Sequence, residues 1–317
     1  MKIVVLDSYC VHEGDLNWQP LYELTQDITL YPRTPQQQTA ARIGDADYVI
    51  GNKCIVDEAL LAQCPNLKWI GLTATGTDRV DLEACRRRGV AVANVPGYST
   101  YSVAQHTFAL LLEITNGTSR RAASLRDGYW QTDIPAKYGI QPHQELHGMT
   151  FGIVGYGDIG RAAAKIAQGF GMEVLVYTRT PRPQEPGVRF VDWPQLLKQS
   201  DVVSLHCPAT PETRGMVDAQ ALAAMKPGAI LLNTARGQLV DEQAVAQALA
   251  SGQLGWYGAD VLCYEPAQPG EPLCAQPHAL LTPHVAWATT SALDRLAQEV
   301  CENLQAFSQG TPRNLVT

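Results

Sequence analysis

The stretch VGYGDIG at residues 154–160 decides how this chain is read. It follows the apolar run FGIV (151–154) and opens the amphipathic segment DIGRAAAKIAQGF (158–170). A β-branched run, a glycine-rich turn and a 3.6-residue periodicity, in that order, spell strand, tight turn, helix. Gly155 permits the turn, Gly157 leaves the backbone bare where a phosphate could approach, and Gly160 lets the helix lie close on the strand. The first N–H groups of such a helix, near Asp158 and Ile159, lack intrahelical acceptors and sit at the positive end of the dipole. A lone GxGxxG is weak evidence. Framed by this strand and this helix it becomes a dinucleotide signature.

The turn lies in mid-chain because another αβ series precedes it. KIVVLD, ITLY, DYVIG, LKWIGLTA and VAVANV read as strands in the first hundred residues, and LNWQPLYEL, TPQQQTAARIG, DEALLAQCP and DLEACRRRG fit the helices between them. From residue 150 onward TFGIVG, EVLVYT, VRFV, DVVSLHC, GAILLNTA, YGADV and ALLTPH repeat the alternation. Each series predicts a parallel sheet with helices on its faces. The fold class is therefore α/β with two doubly wound domains. A long apolar helix, STYSVAQHTFALLLEITNG (99–117), separates the series, and the helix at 288–310 could return to the first domain. The expected boundaries are residues 1–98 plus 290–317 for one domain and 99–289 for the Rossmann dinucleotide-binding domain inserted into it.

Composition excludes several function classes. Among 317 residues, 45% are hydrophobic and 17% charged, and the net charge of −7 argues against a bulk nucleic-acid or anionic-membrane partner. The Arg86-Arg87-Arg88 run ends the segment DLEACRRRG, where cations favour a helix C-terminus and Gly89 can cap it. Eight cysteines form no CxxC pair and share no metal-ligand spacing with the seven histidines, so no metal site is expected. MKIVVLD runs straight into a strand without a signal-peptide core, and FALLLEI is broken by Glu113, far short of a membrane span. A cytoplasmic protein is expected.

The strand after the glycine turn ends in EVLVYTRT (173–180). An NAD-binding domain carries Asp or Glu there to accept hydrogen bonds from the adenosine ribose. Here Thr178 takes that place, with Arg179 and Thr180 following and Arg182 nearby. A carboxylate would repel a 2′-phosphate, whereas a hydroxyl and a guanidinium would bind it. NADP(H) is favoured, with NAD(H) as the alternative in which Arg179 is a solvated residue that selects nothing.

Three further segments carry chemistry. LLNTARGQLVDEQAV (231–245) puts Arg236 at a strand end, GADVLCYEP (258–266) presents Asp260 and Glu265, and LLTPHVAWAT (280–289) places His284 just after the last strand. With VPGYSTYSVAQHTFALLLE (95–113) and HCPATPETRG (206–215), they resemble the D-2-hydroxyacid dehydrogenase family, in particular its glycerate dehydrogenase, or hydroxypyruvate/glyoxylate reductase, branch. The resemblance spans essentially the whole chain. It implies NAD(P)H-dependent reduction of a small 2-keto acid, with a flavodoxin-like substrate domain and a homodimer joined through the cofactor domains. The polar stretch 119–146 is a candidate arm for that contact.

The same resemblance implies the site residues. Arg236, Glu265 and His284 form the catalytic set. The planar guanidinium of Arg236 suits a carboxylate clamp, the imidazole of His284 suits proton delivery, and Glu265 would favour the imidazolium and fix its tautomer. Val103 would back the nicotinamide, and Asp260 would lie near its carboxamide. His206, Cys207, Pro208 and Thr213 would surround the adenosine half, and Thr234, Ala235, Arg236, His284 and Ala286 complete the cofactor contacts. Lys53 in GNK, with Thr75 and Gly76 in LTATGTD, would receive the substrate carboxylate, the latter two through backbone N–H groups. Trp287, one turn past His284, could wall the substrate pocket; core packing is its competing role. The chain departs from the family pattern at Thr178, where Asp is common, and at Gln105, where Glu is common. Two alternatives stand beside the reductase: a non-enzymatic NAD(H) sensor on the same fold, and a dehydrogenase for another D-2-hydroxy acid.

Overall fold

The structure is a computed structural model that describes residues 1–126, 143–180, 183 and 185–317. The chain divides into two compact units, one formed by residues 1–99 and 288–317 and the other by residues 100–287.

The first unit is built on five parallel strands: β1 (Ile3–Val5), β2 (Ile28–Leu30), β3 (Tyr48–Gly51), β4 (Trp69–Leu72) and β5 (Ala91–Ala93). Their order β2-β1-β3-β4-β5 is the flavodoxin-like arrangement. The five strands are short and mostly buried, as expected when helices cover both faces of a parallel sheet. The helix Thr290–Ser308 belongs to this unit. Gly71 makes room for it, since a Cβ there would lie 3.0 Å from Val300 Cγ2 and still closer to the Trp69 ring. Leu82–Arg88 ends as its residues predict, on Gly89 in the left-handed region at φ 70°, with Arg87 and Arg88 paired to Glu58. Two stretches of periodic sequence form less helix than expected. LNWQPLYEL (16–24) folds to the single turn Gln19–Tyr22, and TPQQQTAARIG (34–44) to a 3₁₀ turn followed by Thr39–Ile43. Pro20 fits only the first turn of a helix, so the run before it cannot join.

The second unit contains seven parallel strands: β6 (Thr150–Val154), β7 (Glu173–Tyr177), β8 (Val188–Phe190), β9 (Val202–Leu205), β10 (Ala229–Asn233), β11 (Leu254–Ala259) and β12 (Ala279–Leu281). Their order is β12-β11-β10-β9-β6-β7-β8. Strand β6 pairs with β7 on one side and β9 on the other, so the chain reverses its winding at β6, the position where such sheets bind ligands.

Alternation along the strands builds two cores. Ala229 and Leu231 of β10 join one buried cluster with Val203 and Leu205, while Ile230 and Leu232 join the other with Phe151, Ile153 and Val202. The helix Thr100–Asn116 covers the second face through Val103, Ala104, Thr107, Phe108, Leu111 and Ile114, a spacing that keeps one stripe inward. Gly258 admits it, since a Cβ there would meet Leu232 Cδ2 at 2.8 Å and Ile114 Cδ1 at 3.0 Å. Among the described residues no helix is long and apolar enough to cross a membrane, and no group of three His, Cys, Asp or Glu side chains is placed to hold a metal ion.

Candidate active site

The candidate residues of the second unit, Val103 apart, lie at the carboxyl ends of strands of one sheet or in the segments that follow them. Gly155 follows β6, Thr178 follows β7 and His206 follows β9, while Arg236, Asp260 and His284 lie within three residues of the ends of β10, β11 and β12.

At β6 the three glycines have different neighbours. Gly155 has φ 92°, and a Cβ on it would fall 2.8 Å from the His206 carbonyl and 2.9 Å from Cys207. Gly160 lies so close to the strand end that its Cβ would meet the Gly155 oxygen at 2.3 Å. Gly157, which caps the helix Asp158–Gly169, has nothing within 4 Å of the place its Cβ would take. Its side chain is therefore excluded by no protein atom, and the space beside it is open. No side chain of the N-cap residue satisfies the leading N–H groups of this helix. These features fit a pyrophosphate.

Beyond β7, Thr178 is partly buried while Arg179 and Thr180 are exposed. Arg179 faces Glu212, whose carboxyl is held below its ordinary range first by Thr210 and also by this guanidinium. Arg182 lies outside the described residues. After β9, His206 accepts or donates a hydrogen bond with Ser204 Oγ at 2.9 Å, and burial pushes its pKa down to about 4, so the ring is neutral. Burial likewise pushes the Cys207 thiol up to about 11. Pro208 and Thr213 close this turn on itself, the Thr213 hydroxyl donating to the Pro208 carbonyl at 2.7 Å and accepting from the Thr210 N–H at 2.7 Å.

At β10 a buried asparagine shapes the turn that carries Arg236. Asn233 Oδ1 accepts from the Ala235 N–H at 3.1 Å and its Nδ2 donates to the Arg236 carbonyl at 2.9 Å. Thr234 is buried, its hydroxyl 2.9 Å from that of Thr107 on the covering helix. Arg236 Nη1 donates to the Ala235 carbonyl at 2.8 Å.

Glu265 and His284 meet. His284 Nδ1 is 2.6 Å from Glu265 Oε2, and the Leu262 N–H donates to Glu265 Oε1 at 3.2 Å. Burial pushes the Glu265 carboxyl up, but the His284 hydrogen bond and charge, the Leu262 N–H and the Arg236 guanidinium together outweigh it and hold the pKa below the ordinary range. His284 has φ 54°, in the left-handed region that side chains seldom adopt. Such a residue costs on the order of 1–3 kcal/mol unless its surroundings impose it.

The surroundings do impose it. Asp260 is 1% exposed, and its oxygens accept from the Thr282 hydroxyl at 2.6 Å and from the N–H groups of Val285 at 2.9 Å and Ala286 at 2.7 Å. Ser102 donates to the Ala286 carbonyl, and His106, four residues along the same helix, meets the Thr282 hydroxyl at 2.9 Å. The Trp287 indole N–H donates to the His284 carbonyl at 2.8 Å. Asp260 thus grips the turn that presents His284, and Val103 lies buried between Ser102 and Ala104 on the helix behind that turn. Sequence reasoning missed Ser102, His106 and Thr282, whose partners are remote in sequence, and Asn233, which acts on the backbone of its own turn. Burial and Glu242 push the Cys263 thiol up to about 12, which disfavours the thiolate a nucleophile would need.

In the first unit, Asp7 at the end of β1 is buried and accepts from the Lys53 N–H at 3.0 Å and the Asn52 N–H at 3.3 Å, fixing the turn after β3. Desolvation and then the Arg33 guanidinium lower the pKa of Lys53. The Thr75 hydroxyl is taken by the Val95 carbonyl at 2.7 Å. The backbone N–H groups of Thr75 and Gly76 donate to no acceptor among the described residues.

Residues 108–286 match the family described as "D-isomer specific 2-hydroxyacid dehydrogenase, NAD binding domain". The chain is 41% identical over 321 residues to the hydroxypyruvate reductase of Blautia hydrogenotrophica, covering 100% of this chain and 99% of that one. The chain belongs to the D-isomer specific 2-hydroxyacid dehydrogenase family. It is an oxidoreductase, and its cofactor is a nicotinamide dinucleotide. Similarity also extends to the glyoxylate reductase of Thermococcus litoralis, at 42% identity over 269 residues, 82% of this chain and 80% of that one. The TT0316 protein of Thermus thermophilus superimposes with a TM-score of 0.89 at 38% identity, covering 100% of both chains.

Proposed function

We propose that this D-2-hydroxyacid dehydrogenase reduces hydroxypyruvate to D-glycerate and glyoxylate to glycolate, with NADP(H) favoured over NAD(H). The observation that carries the catalytic reading is the Glu265–His284 pair at 2.6 Å, held on a left-handed histidine beside the strand end that carries Arg236. The named activities of the Blautia and Thermococcus relatives support the substrate class. Thr178 and Arg179 in place of an acidic residue support the cofactor preference.

The nicotinamide cofactor, when bound, supplies the hydride. Gly155, Gly157 and Gly160, with the N–H groups at Asp158 and Ile159, would hold its pyrophosphate; Thr178, Arg179 and Thr180 the ribose end; His206, Cys207, Pro208 and Thr213 the adenosine half. Val103, Thr234, Ala235, Asp260 and Ala286 would complete the nicotinamide end. Arg236 pairs its guanidinium with the substrate carboxylate, for which Lys53 and the N–H groups of Thr75 and Gly76 are also assigned. His284, charged, holds the proton that passes to the carbonyl oxygen, and Glu265 stabilises that charged ring and keeps Nε2 as the donor. Trp287 bounds the substrate side chain.

A homodimer is part of the reading. The helix Thr118–Arg126 has no buried residue although it follows the most buried helix of the unit, which a second copy would explain. Residues 127–142 of the candidate arm lie outside the described residues.

The test is loss of reduced-nicotinamide absorbance with each keto acid and each cofactor. Hydroxypyruvate and glyoxylate should lead, pyruvate should trail, and NADPH should give the higher kcat/KM. Thr178→Asp should weaken NADPH use by repelling the 2′-phosphate. Equal efficiency with both cofactors, unchanged in that variant, would remove the 2′-phosphate reading.

A further inference from the structure

Cys263 is gripped at both backbone groups by side chains of the segment that begins with Arg236. Its N–H donates to Glu242 Oε1 at 2.7 Å, and its carbonyl accepts from Gln238 Nε2 at 3.1 Å. Gly237 brings the two backbones together, since a Cβ there would meet the Leu262 carbonyl carbon at 2.0 Å and the Cys263 nitrogen at 2.3 Å. A strand pair would make such contacts through backbone groups. Here a glutamine amide and a carboxylate take the place of the second backbone, and they fix one residue in both directions.

That residue lies two positions before Glu265, and Leu262, its predecessor, donates to Glu265 Oε1. The clip therefore fixes the peptide from which the Glu265 carboxylate is aimed at His284. We infer that Gln238 and Glu242 are positioning residues that set the Glu265–His284 pair and tie it to the Arg236 turn. The inference rests on the proposed acid–base role of that pair. Burial raises the pKa of Glu242, and Glu271 and Asp241 add to the rise; the Cys263 thiol and the Tyr257 hydroxyl also face it. Around Glu265 the charged neighbours are His284 and Arg236.

The clip predicts a particular pattern across variants. An aimed Glu265 keeps the His284 and Leu262 hydrogen bonds that hold its carboxyl below the ordinary range, so the acidic limb of kcat, where Glu265 takes up a proton, lies at lower pH than it would without them. Glu242→Ala and Gln238→Ala should each lower kcat about tenfold and move that limb toward higher pH, with cofactor binding retained as read by fluorescence. Glu242→Gln, whose amide oxygen still accepts from the Cys263 N–H, should restore the wild-type profile. Glu265→Gln is the reference. If it leaves the profile unmoved, the acid–base reading itself fails. If it moves the profile while both alanine variants do not, the clip fails alone. Loss of cofactor binding in both alanine variants would also overturn the clip, because the pair would then be holding the fold rather than aiming Glu265.

Discussion

Two turns at the ends of strands in the same sheet solve one geometric problem in opposite ways. After β6 the chain needs a left-handed residue, and Gly155 supplies it at φ 92° without a side chain to accommodate. After β12 the chain again turns through the left-handed region, at φ 54°, but the residue is His284. The first turn is sufficient in itself. The second depends on Asp260, Thr282, Ser102, His106 and Trp287, drawn from three separate parts of the chain. The difference follows from what each turn presents. A phosphate cradle needs bare backbone, which glycine gives. Proton transfer needs an imidazole at a fixed angle, so the conformational cost is carried by the network behind it.

The sharpest way to break this comparison is to keep the second turn and remove its chemistry. Asn tolerates the left-handed region, so His284→Asn should preserve the turn and the Asp260 network while abolishing proton delivery. We expect kcat to fall about 100-fold or more with cofactor affinity nearly unchanged. Arg236→Ala should differ by also raising KM for the keto acid, because the carboxylate loses its partner. Steady-state kinetics beside cofactor titration distinguish the two. A His284→Asn enzyme with near-normal kcat would show that the network supports something other than acid catalysis.

What was legible in the sequence divides along the same line. The strands and the glycine turn could be read because their causes are local: β-branched runs, a period of two or 3.6, and glycine where φ is positive. The short helices at Gln19–Tyr22 and Thr39–Ile43 were overread because periodicity continues through Pro20 and through the 3₁₀ turn, where the backbone does not follow it. Arg236, Glu265 and His284 were found as members of motifs, not by any period. Asn233, Ser102, His106 and Thr282 escaped because each acts through hydrogen bonds to residues remote along the chain or to a turn backbone, and no residue spacing encodes that. Asp260 was read as a cofactor neighbour. Its hydrogen bonds add a second task, holding the histidine turn.

The glycine turn can be dissected in turn, with smaller effects. Gly155→Ala forces a Cβ against the His206 carbonyl in an unfavourable backbone region, and should destabilise the cofactor-free protein by about 1–3 kcal/mol in urea unfolding. Gly157→Ala meets no protein atom within 4 Å, so unfolding should change by less than about 1 kcal/mol. Its Cβ occupies the open space beside the helix start, and cofactor affinity should fall about tenfold, equivalent to about 1.4 kcal/mol. The opposite ranking, with Gly157→Ala unfolding the protein and sparing the cofactor, would overturn the cradle.

The smallest effect concerns Trp287, which joins the two halves of the comparison: one atom serves the turn, and the ring is assigned to the substrate. Its N–H holds the His284 carbonyl at 2.8 Å, while the indole is only partly buried. Trp287→Phe keeps an aromatic wall and deletes the hydrogen bond, a change worth about 1 kcal/mol, so kcat/KM should drop a few-fold by the same factor for every keto acid. Trp287→Ala deletes both. Beyond that uniform drop it should let phenylpyruvate and 2-ketoisocaproate gain on hydroxypyruvate, within the roughly 10- to 200-fold range that one apolar contact can discriminate. Relative kcat/KM values across the acid series separate the two roles, since a clamp scales the series and a wall reorders it. If alanine merely scales the series as phenylalanine does, Trp287 serves the histidine turn alone and the size of the substrate pocket is set by other residues.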